Sequence, residues 1–206
     1  DTGRITIDGN DVTRLPAHRR AHWVARVFQD PLAGTCEDLS IEENMALALK
    51  RGQGRGLMPA VRARYRTRFR DALARLGLGL ENRLGDKMGL LSGGQRQAVS
   101  LLMASLTPSR LLLLDEHTAA LDPRTAAFVL DLTVDIVGQQ RMTALMVTHS
   151  MKQALDVGSR TVMLHQGQVV FDIKGAEREG LEVKDLLNLF ERQRGEELSD
   201  DNLLLG

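Results

Sequence analysis

Apolar and polar positions along the 206 residues alternate between two periods. Arg4 to Ile7 alternates with a period of two, Ile5 and Ile7 facing inward, and closes at the turn pair Asp8-Gly9. Val24 to Phe28 reads as a second strand. From Ile41 to Lys50 the apolar residues take helical spacing, and Ser40 followed by Glu43 is the signature of a capping box. Gly52-Gln53-Gly54-Arg55-Gly56 is a connector, after which Tyr65, Phe69, Ala72, Leu73 and Leu76 form one stripe of a helix over 61–76. Another helix runs from Gln95 to Leu106. The unbroken run Leu111-Leu112-Leu113-Leu114 suits a strand buried on both faces.

The remainder keeps alternating: a helix from Pro123 to Val137, a strand from Thr143 to Val147, a helix from Met151 to Val157, then strands Thr161–Leu164 and Val169–Ile173 around Gln166-Gly167. A last helix, Val183 to Arg192, is expected to bury Val183, Leu186, Leu187 and Phe190, and Glu196 to Asp201 reads as a loose acidic tail. Buried strands alternating with helices predict an α/β fold with a mostly parallel sheet.

Composition narrows the function. Hydrophobic residues at 43% and charged residues at 26% exclude disordered and collagen-like chains, and 3% aromatics argue against a base-stacking surface for single-stranded nucleic acid. Lys and Arg total 27 and Asp and Glu total 27, a zero net charge unlike that of a generic polyanion binder, so no nucleic-acid partner is expected. The balance is uneven, because residues 1–75 hold 14 basic and 9 acidic side chains while residues 151–206 hold 7 and 11. Cys36 is the only cysteine, which rules out an intrachain disulfide or a cysteine zinc site. No apolar run approaches the ~18 residues of a membrane span.

Two segments carry candidate chemistry. The four leucines deliver Asp115 and Glu116 to the carboxyl end of a strand, where α/β sheets bind ligands. Asp115 can hold Mg²⁺ and Glu116 can polarise a water for attack on a phosphoryl group, or both are solvated acids at a strand end. Upstream, Ser92-Gly93-Gly94-Gln95 opens a helix, a design that can face a phosphate through backbone N–H groups or simply cap the helix. Arg62, Arg64, Arg66, Arg68 and Arg70 flank the Tyr65/Phe69/Leu73 stripe as a solvated face, with docking of a partner as the alternative.

Taken together in order, Val27-Phe28-Gln29-Asp30-Pro31, Leu91-Ser92-Gly93-Gly94-Gln95, Asp115-Glu116, Ala120-Leu121-Asp122 and Val147-Thr148-His149 resemble the motifs of the ATP-binding subunit of ABC transporters. The resemblance implies an ABC-type ATPase core with an inserted helical subdomain over about 33–106 and a C-terminal helix and tail over about 183–206, all in one domain. It implies roles residue by residue. Glu116, His149 and Gln29 would be catalytic, with Glu116 as base, His149 at the γ-phosphate, and Gln29 reaching the metal and the attacking water. Asp115 and Gln29 would serve Mg²⁺, while Ser92, Gly93, Gly94, Gln95 and Asp122 would contact ATP or line the path between two sites.

The implied assembly is a head-to-tail homodimer with ATP at its interface, peripheral on the cytoplasmic face of the membrane. Its expected partners are a transmembrane permease subunit and an extracytoplasmic substrate-binding protein. Two departures stand out. Position 117 is His where the family usually has Pro, either a second titratable group near the γ-phosphate or a variation in loop shape, and Asp115-Glu116-His117-Thr118 looks like importer ATPases for aromatic amino acids such as tryptophan or tyrosine. The phosphate loop G-x-x-x-x-G-K-[ST] does not occur in these 206 residues, so the expectation is a cassette lacking its N-terminal segment that alone binds MgATP weakly. The competing readings are a catalytically inactive fragment and a soluble ABC ATPase outside transport.

Overall fold

The computed structural model describes residues 2–53, 61 and 63–192. Gly54 to Gly56 of the connector, Arg62 and the tail Glu196–Asp201 lie outside the described residues. The chain forms two compact units, Asp1–Val147 and Thr148–Gly206.

In the first unit a short antiparallel hairpin pairs β1 (Thr6–Ile7) with β2 (Asn10–Asp11) and is followed by α1 (Ala17–Arg20). The strand is shorter than its alternation predicts and Ile5 is 52% exposed rather than inward, because a strand this short has no layer to bury it against; Val12, just beyond β2, takes the buried position. β3 (Val24–Val27), β4 (Leu111–Asp115) and β5 (Thr143–Val147) make a parallel three-stranded sheet in that order. β4 is central: Leu112 and Leu114 on one face are fully buried, while Leu111 and Leu113 on the other are half-buried, so the burial on both faces expected of the leucine run is complete on one face only. β5 forms where expected, but Leu145 and Val147 are exposed, since among the described residues β5 pairs with β4 alone.

Between β3 and β4 lies the helical part. α2 (Ile41–Leu49) begins with the predicted capping box: Ser40 Oγ accepts from Glu43 N, and the Glu43 carboxylate accepts from Ser40 N at 2.8 Å. α3 (Ala63–Ala74) buries Phe69 and Leu73 against α2 and α4 (Gly93–Ser105), placing the core around Met45, Phe69, Leu73, Leu101 and Leu102. The arginine run is not a uniformly solvated face. Arg66 Nε lies 2.9 Å from one oxygen and 3.0 Å from the other of the buried Glu42 carboxylate, Arg68 donates to the Leu106 carbonyl, and Arg64 lies over the Tyr65 ring. A long helix, α5 (Pro123–Gln140), follows β4 and packs on α4.

The second unit holds α6 (Met151–Asp156), a hairpin of β6 (Arg160–His165) with β7 (Gln168–Lys174), and a helix over 183–192. These strands are antiparallel because a two-residue turn joins them, with Gln166 at φ 48° and Gly167 at φ 83°, the left-handed pair that tight hairpins need. In the last helix Leu186 is buried and Phe190 half-buried, whereas Val183 and Leu187 are exposed, contrary to expectation; one narrow stripe suffices for a helix that covers a single hairpin.

Candidate functional site at the carboxyl ends of the parallel strands

The register of the sheet builds the site. Val27 of β3 pairs with Leu114 of β4, and both strands run the same way, so the chain two residues farther on carries Gln29 on one and Glu116 on the other. Their side chains meet: Gln29 Nε2 donates to Glu116 Oε2 at 3.1 Å. Asp115, the last residue of β4, accepts from Arg26 Nη2 at 2.7 Å, and the same guanidinium lies 4.5 Å over the Phe28 ring. Arg26, invisible to motif reading, is thus the cation beside the candidate metal carboxylate; only the pairing of β3 with β4 reveals it.

Glu116 sits in the left-handed region at φ 41°, held by its N–H on the Val147 carbonyl at 3.0 Å and by the Ala119 N–H on its own carbonyl at 2.9 Å. His117 turns inward and is 2% exposed, and burial pushes its imidazole down to about 4. Its Nε2 lies 3.0 Å from Thr133 Oγ1 on α5. The ring is packed within the loop and faces α5.

The other predicted residues cluster at two helix N-termini. Ser92 caps α4 in a second capping box, with its hydroxyl accepting from Gln95 N at 3.3 Å and the Gln95 amide oxygen accepting from Ser92 N at 3.2 Å. Asp122 caps α5, accepting from Thr125 N at 3.1 Å, and the Thr125 side-chain and backbone donors hold its carboxyl below the usual range. Gly94 lets these two ends approach: a Cβ there would lie 2.2 Å from Thr125 Cγ2. Gln97, which sequence reading passed over, donates from Nε2 to the Phe28 carbonyl at 3.2 Å and so ties α4 to the residue before Gln29. His149 belongs to the second unit, exposed in the turn before α6, where Thr148 Oγ1 accepts from Ser150 N at 3.0 Å.

The donor set consists of carboxylates and an amide oxygen, which suit a hard cation. Among the described residues no three His, Cys, Asp or Glu side chains gather as a metal cage, and Mg²⁺ characteristically takes one or two carboxylates and completes its shell with water and phosphate.

The profile of the ABC transporter family matches residues 1–119. The chain belongs to the ABC transporter family. A tyrosine transport ATP-binding protein from Clostridioides difficile (strain R20291) is 45% identical over 92% of this ABC chain and 75% of its own length. The sulfate/thiosulfate import ATP-binding protein CysA of Mycobacterium tuberculosis (strain ATCC 25618 / H37Rv) is 34% identical over 82% of the chain, which spans 45% of that longer protein. Among solved structures, the dimeric post-hydrolysis state of the ATP-binding cassette MJ0796 bound to ADP and Pi aligns with a TM-score of 0.68 and 28% identity, over 84% of this chain and 73% of that one. The α/β fold and the family resemblance read from the sequence are borne out.

Two outcomes are expected. Gly94→Ala forces α4 and α5 apart and destabilises the protein by about 1–3 kcal/mol in denaturant unfolding. Adding Thr125→Ser, which removes the clashing methyl and keeps the hydroxyl, recovers most of that loss. The buried His117 makes stability depend on pH. Its folded value, about 4, lies below the ordinary 6.5, so the unfolded chain binds the proton more readily; the contribution is complete above 6.5 and drains away as pH falls towards 4. Wild-type protein should lose roughly 3 kcal/mol across that window beyond what His117→Phe loses, measured by unfolding at each pH.

Proposed function

We propose that this chain is the ATP-hydrolysing part of an importer's ATP-binding subunit, with Glu116 as general base and Gln29 orienting the same water. The observation that carries the reading is the Gln29–Glu116 hydrogen bond at the carboxyl ends of adjacent parallel strands, formed by residues 87 positions apart. The bond uses one Glu116 oxygen and the Gln29 amide nitrogen, which leaves the other carboxylate oxygen to accept a proton from a water beside the pair and the Gln29 amide oxygen to orient that water. Asp115 would hold Mg²⁺, trading its contact with Arg26 for the metal, and bound Mg²⁺ neutralises charge on the phosphates. His149 would meet the γ-phosphate. The N-termini of α4 and α5, with Ser92, Gly93, Gly94, Gln95 and Asp122, would face the nucleotide of the opposite subunit in a head-to-tail homodimer. The dimeric ATP-binding cassette among the structural neighbours supports that assembly.

The tyrosine transport relative supports an aromatic amino acid as the solute. That solute would be imported through a separate transmembrane subunit fed by an extracytoplasmic binding protein. Among the described residues no helix is long and apolar enough to cross a membrane. The subunit would work from the cytoplasmic face of the membrane, through that partner.

In the ATPase that carries this sequence, Glu116→Gln should lower kcat by about 10²-fold or more while ATP binding stays within a few-fold, separating chemistry from binding. Retained turnover in that variant would remove Glu116 as base. A polypeptide of these 206 residues, which contain no G-x-x-x-x-G-K-[ST], is expected to bind MgATP weakly and hydrolyse it negligibly in the same assay.

A further inference from the structure

Glu116 holds a left-handed backbone conformation at φ 41° that a residue with a side chain keeps only where its surroundings enforce it. Two main-chain hydrogen bonds, to Val147 and from Ala119, grip its peptide groups. The next residue supplies a third restraint of a different kind. His117 is buried, with Nε2 3.0 Å from Thr133 Oγ1, and Thr133 Oγ1 lies 2.7 Å from the Val129 carbonyl one turn earlier in α5. A threonine hydroxyl has one proton. Because a carbonyl can only accept, that proton goes to Val129, and Thr133 Oγ1 must accept from His117. The imidazole therefore carries its proton on Nε2, and the loop is tied to α5 through a chain of defined polarity: His117 Nε2–H to Thr133 Oγ1, Thr133 Oγ1–H to the Val129 carbonyl.

We infer that His117 is a positioning residue for Glu116, anchoring the strained turn after β4 on α5 so that the Glu116 carboxylate stays against Gln29. The inference rests on Glu116 being the base. α5 is a suitable anchor because it spans Pro123–Gln140 and its first turn packs through Thr125 on Gly94, so the same helix that sets the Glu116 turn also meets the Ser92–Gln95 segment. A ring at 117 that only filled space would need no donor, whereas a positioning ring needs both the donor and the acceptor it finds.

The test uses the full-length ATPase, with steady-state kinetics, ATP binding and thermal unfolding measured on each variant. His117→Phe keeps the ring and removes the donor; Thr133→Val keeps the shape and removes the acceptor. Each is expected to lower kcat about tenfold or more, with KM for ATP and ATP affinity within about twofold of wild type, since binding is not what the restraint serves. The double variant should be no slower than the slower single variant, because both remove one shared link. His117→Gln, whose amide can place a donor near the Nε2 position, should recover to within about threefold of wild type. Long-range ¹⁵N NMR of the imidazole should show the proton on Nε2 in the nucleotide-free protein, independently of turnover.

If His117→Phe does not fold, Thr133→Val and His117→Gln carry the kinetic test. Wild-type kcat in folded His117→Phe or Thr133→Val, multiplicative losses in the double variant, or a proton on Nδ1 would overturn the inference. Failure of the wider reading looks different. Turnover that survives Glu116→Gln removes the base itself, whereas turnover lost in Glu116→Gln and unchanged in the His117 and Thr133 variants removes only the positioning role.

Discussion

The parallel register of β3 on β4 is the constraint on which the candidate site depends. Val27 opposite Leu114 brings Gln29 and Glu116 off the sheet side by side, and a slip of one residue would reverse the side-chain faces and separate them. Packing, rather than the polar contact, holds that register. Leu112 and Leu114 are buried, and each such side chain contributes roughly 2 kcal/mol. The Gln29–Glu116 hydrogen bond is exposed to water and contributes about 1 kcal/mol at most. Apolar burial therefore sets the geometry, and the polar pair reads it out.

The same division runs through the charges. Arg26 and Asp115 are both about half exposed, so their ion pair adds little to stability and mainly orients the carboxylate. Glu42 differs: its carboxyl is buried and Arg66 spans both oxygens, which joins α2 to α3 and spends one arginine of a run that looks like surface. Thr133 and His117 place polar atoms inside the protein, and the mutual satisfaction of those atoms is what makes the site tolerable.

At the helix ends one residue serves two purposes. Ser92 and Asp122 satisfy the first N–H groups of α4 and α5, as any good cap does, and the same two turns are where the family resemblance places nucleotide contacts. Gly94 allows both turns to stand together because the space of its missing Cβ is filled by Thr125. Capping and ligand contact are compatible, since a cap uses the later N–H groups of the turn and leaves the earliest pointing outward.

Much was legible in the sequence because it is local. The capping boxes at Ser40 and Ser92, the leucine strand and the Gln166-Gly167 turn depend on neighbours within a few residues, where periodicity and side-chain reach decide the outcome. What only the tertiary structure decided lies between residues far apart. Arg26 beside Asp115, Gln29 on Glu116, Gln97 on the Phe28 carbonyl and Arg66 on Glu42 span 89, 87, 69 and 24 positions. His117 was legible as an odd residue in a motif, but its burial, its lowered proton affinity and its bond to Thr133 required α5 to be laid across the loop. Ile5, Val183 and Leu187 show the converse, since an apolar letter records an affinity for the interior, and whether there is an interior to enter depends on which elements pack over it.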